Sequence, residues 1–159
     1  VPAIMPDLIR EVIANIVRIA NLDVDKIVTV EAMGIPIGIV LSILCDIPLV
    51  IIRKRKYGLP NEVEISQVTG YSRSQLYLNG INRGDRVIVV DDVISTGGTL
   101  QATLDSLELA GAEVMDTVIV VERGNGAELL RSKGYNLKTM VRVKVEGGRV
   151  SEVVPAISK

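Results

Sequence analysis

The stretch RVIVVDDVISTGGTL, residues 86–100, sets the frame for the rest of the chain. Residues 87–90 are four consecutive β-branched aliphatics, the composition of a strand buried on both faces, and the run ends on two carboxylates, Asp91 and Asp92. Ser95, Thr96, Gly97, Gly98 and Thr99 follow, all small, hydroxylated or conformationally permissive, and 100–110 reads as a helix. A strand, a glycine-bearing loop and a helix N-terminus together make an anion site, because backbone N–H groups and the helix dipole point into the loop. Adjacent carboxylates cannot themselves bind phosphate. They require a ligand that also carries hydroxyls, a metal or developing positive charge, and a phosphorylated sugar meets these demands.

The rest of the composition narrows the chemistry. At 159 residues with 48% hydrophobic content the chain is expected to form a single domain, 1–159, with a substantial core. A net charge of −1 gives no general attraction to nucleic acid or anionic lipid. One cysteine, Cys45, excludes an intrachain disulfide framework, and the lack of histidine excludes imidazole acid–base catalysis and imidazole metal ligation. With no signal-peptide pattern and no N-x-S/T sequon, a cytoplasmic protein is expected. Residues 35–52 carry one charge and precede Arg53, Lys54, Arg55 and Lys56, which resembles a membrane span with a positive flank. Asp46 at mid-membrane would cost about 2.5–3.5 kcal/mol, and Pro36 and Pro48 divide the run, so no membrane partner is expected.

Outward from the central stretch, strands and helices alternate. Residues 6–20 carry an apolar stripe at helical spacing, and 26–30 (KIVTV) reads as a strand that again ends on an acid and a small loop: Glu31, Ala32, Met33, Gly34. A helix over 35–45, a strand over 49–52 and the basic run follow. In an open parallel sheet ligands bind beyond the carboxyl ends of the strands, and the basic run, residues 31–34 and residues 91–99 all converge there. Segments 62–66 and 75–78 alternate around a polar tip, Thr69, Gly70, Tyr71 and Ser72, and read as a projecting two-stranded flap or an ordinary surface hairpin. Strands over 114–121 and 137–145 flank a short helix at 127–132, and the chain closes on a short tail after Gly147 and Gly148. The class is α/β, with a mostly parallel central sheet flanked by helices and the flap projecting from it. Neither G-x-G-x-x-G nor a P-loop lysine motif is present.

VIVVDDVISTGGTL resembles the phosphoribosyl pyrophosphate (PRPP) motif of type I phosphoribosyltransferases, and the resemblance covers nearly the whole chain. VEAMGIPIG, RKRKYGL and VDDVISTGG together look most like archaeal hypoxanthine/guanine phosphoribosyltransferases, with adenine phosphoribosyltransferases close behind. The resemblance implies that Glu31, Ala32, Met33, Gly34, Arg53 and Lys54 bind pyrophosphate. It gives the 5-phosphate to Ile94, Ser95, Thr96, Gly97, Gly98 and Thr99, and places Tyr71 and Ser72 on the catalytic flap. Asp91 and Asp92 are then the catalytic carboxylates, accepting hydrogen bonds from the ribose hydroxyls and favouring a sugar cation-like transition state. Val121, Glu122 and Arg123 would line the purine, with Ile94 or a tyrosine as stacking surface. Mg²⁺ is implied as cofactor, held mainly by PRPP and water.

The implied reaction forms IMP or GMP from hypoxanthine or guanine, or AMP from adenine. A PRPP- or purine-sensing regulator is the non-catalytic alternative. Mammalian 6-oxopurine enzymes carry an aspartate where Ser95 stands, and no acid occupies the flap position used by adenine enzymes. The proton acceptor is therefore not assigned to a residue. Family members are commonly dimeric and carry an N-terminal hood over the base, which is expected to be missing or truncated here. Small-molecule substrates and a second copy of the chain are the expected partners.

Overall fold

Proline at the first helical position and Asp7 in the first turn start α1 (Pro6–Ile19), and Arg18 complements its dipole at the far end. The computed structural model describes residues 3–68 and 73–156. After α1 come β1 (Lys26–Val30), α2 (Gly34–Cys45), β2 (Leu49–Ile52), β3 (Val63–Val68), β4 (Arg73–Leu78) and β5 (Arg86–Ile94). The second half is α3 (Gly98–Leu109), β6 (Glu113–Arg123), α4 (Gly126–Ser132), β7 (Leu137–Glu146) and β8 (Arg149–Pro155).

The main sheet runs β2-β1-β5-β6-β7-β8, parallel throughout except that β8 returns antiparallel to β7. Two helices cover each face, which is why the buried stretches of β1 and β5 are mostly aliphatic. On one side Ile13, Ile16, Ile37 and Leu41 pack on Ile27, Ile88, Val90 and Val118. On the other, Leu100, Leu104, Leu107 and Leu130 pack on Val28, Val87, Val89 and Ile119. Gly38 lets α2 approach the sheet closely, since a methyl there would sit 2.8 Å from Leu49 Cδ1. The buried Asp116 ties the end of α1 to the sheet: it accepts from the Asn21 N–H at 2.9 Å and from Lys138 Nζ at 2.5 Å, while Lys138 also donates to Ile19 O.

The flap strands β3 and β4 pair antiparallel and bury Ile65, Leu76 and Leu78 in the α3 side of the core. They are fastened to β2 through Arg53 and Tyr77, which exchange backbone hydrogen bonds of 3.0 and 2.7 Å. The flap tip lies outside the described residues, and Tyr71 and Ser72 with it. Among the described residues no helix is long and apolar enough to cross a membrane.

Two expectations are corrected. The central strand does not stop at the acids: β5 continues through Asp91 and Asp92 to Ile94, because its backbone stays in register with Ile119, Val121 and Glu122 of β6. The expected tail is instead β8. Gly147 and Gly148, at φ 57° and 77°, form the two-residue turn that a tight hairpin requires, with Glu146 paired to Arg149.

Candidate active site

Three loops meet at the carboxyl ends of β1, β5 and β6, beside the basic run that follows β2. The first, Glu31 to Gly34, runs directly into α2, and the Glu31–Ala32 peptide is cis. Glu31 N–H donates to Ile52 O at 2.9 Å, and its carboxylate accepts the Lys54 N–H at 3.1 Å. The acid at the end of β1 thus binds its loop to the basic run after β2. Arg53 and Lys54 are exposed there, with the Arg53 guanidinium 5.6 Å from the centre of the Tyr57 ring. Lys56 turns instead toward the flap and Glu64, at 3.8 Å.

The second loop joins β5 to α3. Ser95 and Thr96 are exposed, and Gly97 adopts φ 84°, a left-handed conformation that glycine accepts without strain and that turns the chain into α3. Neither α2 nor α3 has an acidic residue in its own first turn; the start of α3 is open to an anion, whereas the Asp91 carboxylate of β5 stands beside Gly34 at the start of α2. The loop rests on the third segment, between β6 and α4. Gly126 N–H donates to Ser95 O at 2.9 Å, and a methyl at Gly126 would overlap that oxygen and lie 2.5 Å from Gly97 N.

Asp91 and Asp92 are half-buried beside these loops, with the Asp92 N–H donating to Asp91 Oδ1 at 2.9 Å. Burial is the main force on Asp91. That hydrogen bond favours its ionised form, but burial together with the charge of Asp92 pushes it up to about 7. Asp92 borders an apolar pocket of about 240 Å³, lined also by Met33, Val93, Val121, Ile4 and, from α1, Leu8.

The base-side expectations divide. Val121 lines this pocket, and Arg123 is exposed at the end of β6. Glu122 does neither: it is 1% exposed and both of its oxygens are taken. Oε1 accepts from Arg142 Nε at 2.8 Å, and Oε2 accepts from Arg131 Nη2 at 3.0 Å and Thr139 Oγ1 at 2.7 Å. Burial alone would raise this carboxyl, but Thr139, Arg131 and Arg142 outweigh it and hold it below the ordinary range. Glu122 is thus a structural anchor between β6, α4 and β7 rather than a purine ligand. Ile94 is likewise corrected as a stacking or phosphate contact, since it is 3% exposed within the core. Its neighbour Val93 is instead 46% exposed and lines the apolar pocket.

This geometry agrees with what the chain resembles elsewhere. A family model described as "Phosphoribosyl transferase domain" matches residues 3–152. A hypoxanthine/guanine phosphoribosyltransferase of Methanothrix soehngenii is 96% identical over the whole chain, which covers 84% of that protein. One from Methanothrix thermoacetophila is 67% identical, with 96% of this chain and 80% of the relative covered. Among solved structures, the adenine phosphoribosyltransferase of Rhodothermus marinus superposes with TM-score 0.71 at 29% identity, covering 87% of this chain and 81% of that one. The enzyme from Leishmania donovani, at 20% identity and TM-score 0.76 over 98% and 75% of the two chains, shares the fold. An acidic pair on the central strand, a glycine loop braced from β6 and a matching family model over nearly every residue lead to one assignment: the chain belongs to the phosphoribosyltransferase family.

Proposed function

We propose that this chain is a purine salvage enzyme that transfers the 5-phosphoribosyl group of PRPP to hypoxanthine or guanine, giving IMP or GMP and pyrophosphate. The observation that carries the proposal is the meeting of two helix N-termini with no acid in their own first turns, the exposed Arg53 and Lys54, and the Asp91–Asp92 pair at one edge of the sheet. A ligand with two phosphate-bearing ends and a diol between them satisfies all of these at once. The Ser95–Thr99 loop takes the 5-phosphate through backbone N–H groups, with the Ser95 and Thr96 hydroxyls adding to them. The Ala32–Gly34 backbone with Arg53 and Lys54 takes the pyrophosphate. Asp91 and Asp92 accept hydrogen bonds from the ribose hydroxyls, and their charge favours the positive charge that develops as the C1–O bond breaks and the C1–N9 bond to the purine forms. The purine N9 proton leaves to solvent or to the departing pyrophosphate. Before the C1–O bond breaks the flap closes over the site and excludes water, which would otherwise capture the sugar cation.

Mg²⁺ fits the donor set. Asp91 and Asp92 offer hard oxygens, and among the described residues no group of three or more His, Cys, Asp or Glu forms a cage of its own, so substrate oxygens and water would complete the shell. When bound, the ion neutralises the diphosphate as a leaving group. We place the purine in the apolar pocket against Val93, Val121 and Met33, with Arg123 as a donor at its rim. We further propose that the enzyme is a cytoplasmic homodimer. The cytoplasm is where a polyanionic donor that cannot cross a lipid bilayer unaided would be met. A dimer is supported by α2, apolar on every side yet exposed at Ile39, Ile43 and Leu44. Incubation with PRPP, Mg²⁺ and single purines should release pyrophosphate with hypoxanthine or guanine. No release with any purine would overturn the proposal.

A further inference from the structure

The interior of β1 contains one residue out of keeping with its neighbours. Ile27, Val28 and Val30 are aliphatic, but position 29 is threonine, 0% exposed, and its Oγ1 has no hydrogen-bond partner. Valine has the same shape and would leave no polar atom unsatisfied at that site. Folding alone therefore gives no reason for the hydroxyl.

Its position supplies one. Thr29 lies two residues before Glu31, beneath the loop that leads into α2. A methyl group at Gly34 would overlap Thr29 Oγ1 and would stand 2.5 Å from Asp91 Oδ1. The hydroxyl, the glycine that opens α2 and the first carboxylate of β5 thus crowd a single point between the pyrophosphate side and the ribose side of the site. Two other buried side-chain oxygens among the described residues lack partners, Asn79 Oδ1 and Thr103 Oγ1, and neither borders these loops. Polar groups kept against the interest of stability are expected where function uses them.

We propose that Thr29 is a positioning residue of the transfer reaction. Its hydroxyl takes up a hydrogen bond with the Asp91 carboxylate or the Gly34 backbone when the sugar diphosphate draws these two groups together, and so fixes the acid relative to the pyrophosphate loop. Val30 and Val28 face the opposite side of β1, so β1 offers no other side chain for this role. The inference rests on the reaction proposed above.

Thr29→Val removes only the hydroxyl, and Thr29→Ser keeps it while removing a methyl. Three quantities are compared with the wild type: melting temperature, kcat with KM for the purine, and the Kd for magnesium pyrophosphate by calorimetry. Thr29→Val should melt at the wild-type temperature or above it. Its kcat should fall at least about tenfold and its pyrophosphate Kd should rise about fivefold, with the purine KM within about twofold of wild type. Thr29→Ser should melt lower, through the lost methyl, yet recover kcat and Kd to within about threefold. Wild-type kcat and Kd in Thr29→Val, or equal losses in both variants, would overturn the proposal. Should the wild type bind pyrophosphate without turning over any purine, the proposed reaction fails, and the Kd series still decides the role of Thr29.

Discussion

Replacing Glu122 by glutamine tests whether the end of β6 is a purine contact or a structural anchor. The carboxylate is buried and receives hydrogen bonds from Arg131, Arg142 and Thr139. Removing one member of a buried ion pair costs about 3–5 kcal/mol when the partner is left without solvent. Here the arginine side chains are 34% and 54% exposed, so water recovers part of the loss, and about 2–3 kcal/mol is expected. For a domain of this size that is a drop in Tm of roughly 5–10 °C. The sign of the pH dependence follows from the depressed native pKa of Glu122. Its stabilisation is complete above the unfolded carboxylate range and is lost as pH falls through the native value, so the Tm gap between wild type and Glu122→Gln should close in acid. Thermal melts from about pH 2 to pH 8, with purine KM measured at neutral pH, decide the matter. A Tm within 1–2 °C of wild type at pH 7 (roughly half a kcal/mol) together with a raised purine KM would refute the reasoning.

Three further outcomes are expected. Gly126→Ala forces a methyl into the backbone of residues 95–97, an overpacking of about 1–3 kcal/mol. It should raise KM for PRPP about tenfold, whereas Gly134→Ala, which strains a positive-φ glycine but meets nothing within 4 Å, should leave that KM unchanged in the same steady-state assay. Asp91, raised from 3.8 to about 7, holds an extra proton in the folded state across that window. Stability should therefore decline as pH rises from about 4 to 7 while kcat/KM for PRPP climbs with ionisation, and Asp91→Asn should abolish its share of both slopes in melts and rate profiles. Ile43→Asp, on a side chain 78% exposed, should change Tm little but shift sedimentation to the monomer, and an unchanged dimer would remove α2 from the interface.

The fold was legible where one physical force dominated. The aliphatic runs of β1 and β5, bounded by acids and glycines, mark buried parallel strands, and the flap strands follow from simple alternation. The phase of the site was harder to read. Strands buried on both faces carry no alternation, so nothing in VVDDVI distinguishes the outward Val93 from the inward Ile94. The family resemblance puts Glu122 against the purine, and nothing local in the sequence shows that its carboxylate is already taken. Its partners are 9 and 20 residues away, and they meet it only through the docking of α4 and the Glu122–Arg142 register. β8 did leave a signal, two alternating stretches around Gly147 and Gly148, which is hairpin chemistry.

The central claim is that a donor site built from Asp91, Asp92 and the 95–99 loop serves a 6-oxopurine acceptor. Its most direct test gives the enzyme limiting PRPP with Mg²⁺ and equimolar hypoxanthine, guanine and adenine, then separates and weighs the nucleotides formed. The account predicts IMP and GMP matching the pyrophosphate released, with little AMP. A product dominated by AMP, or pyrophosphate released with no nucleotide, would contradict it.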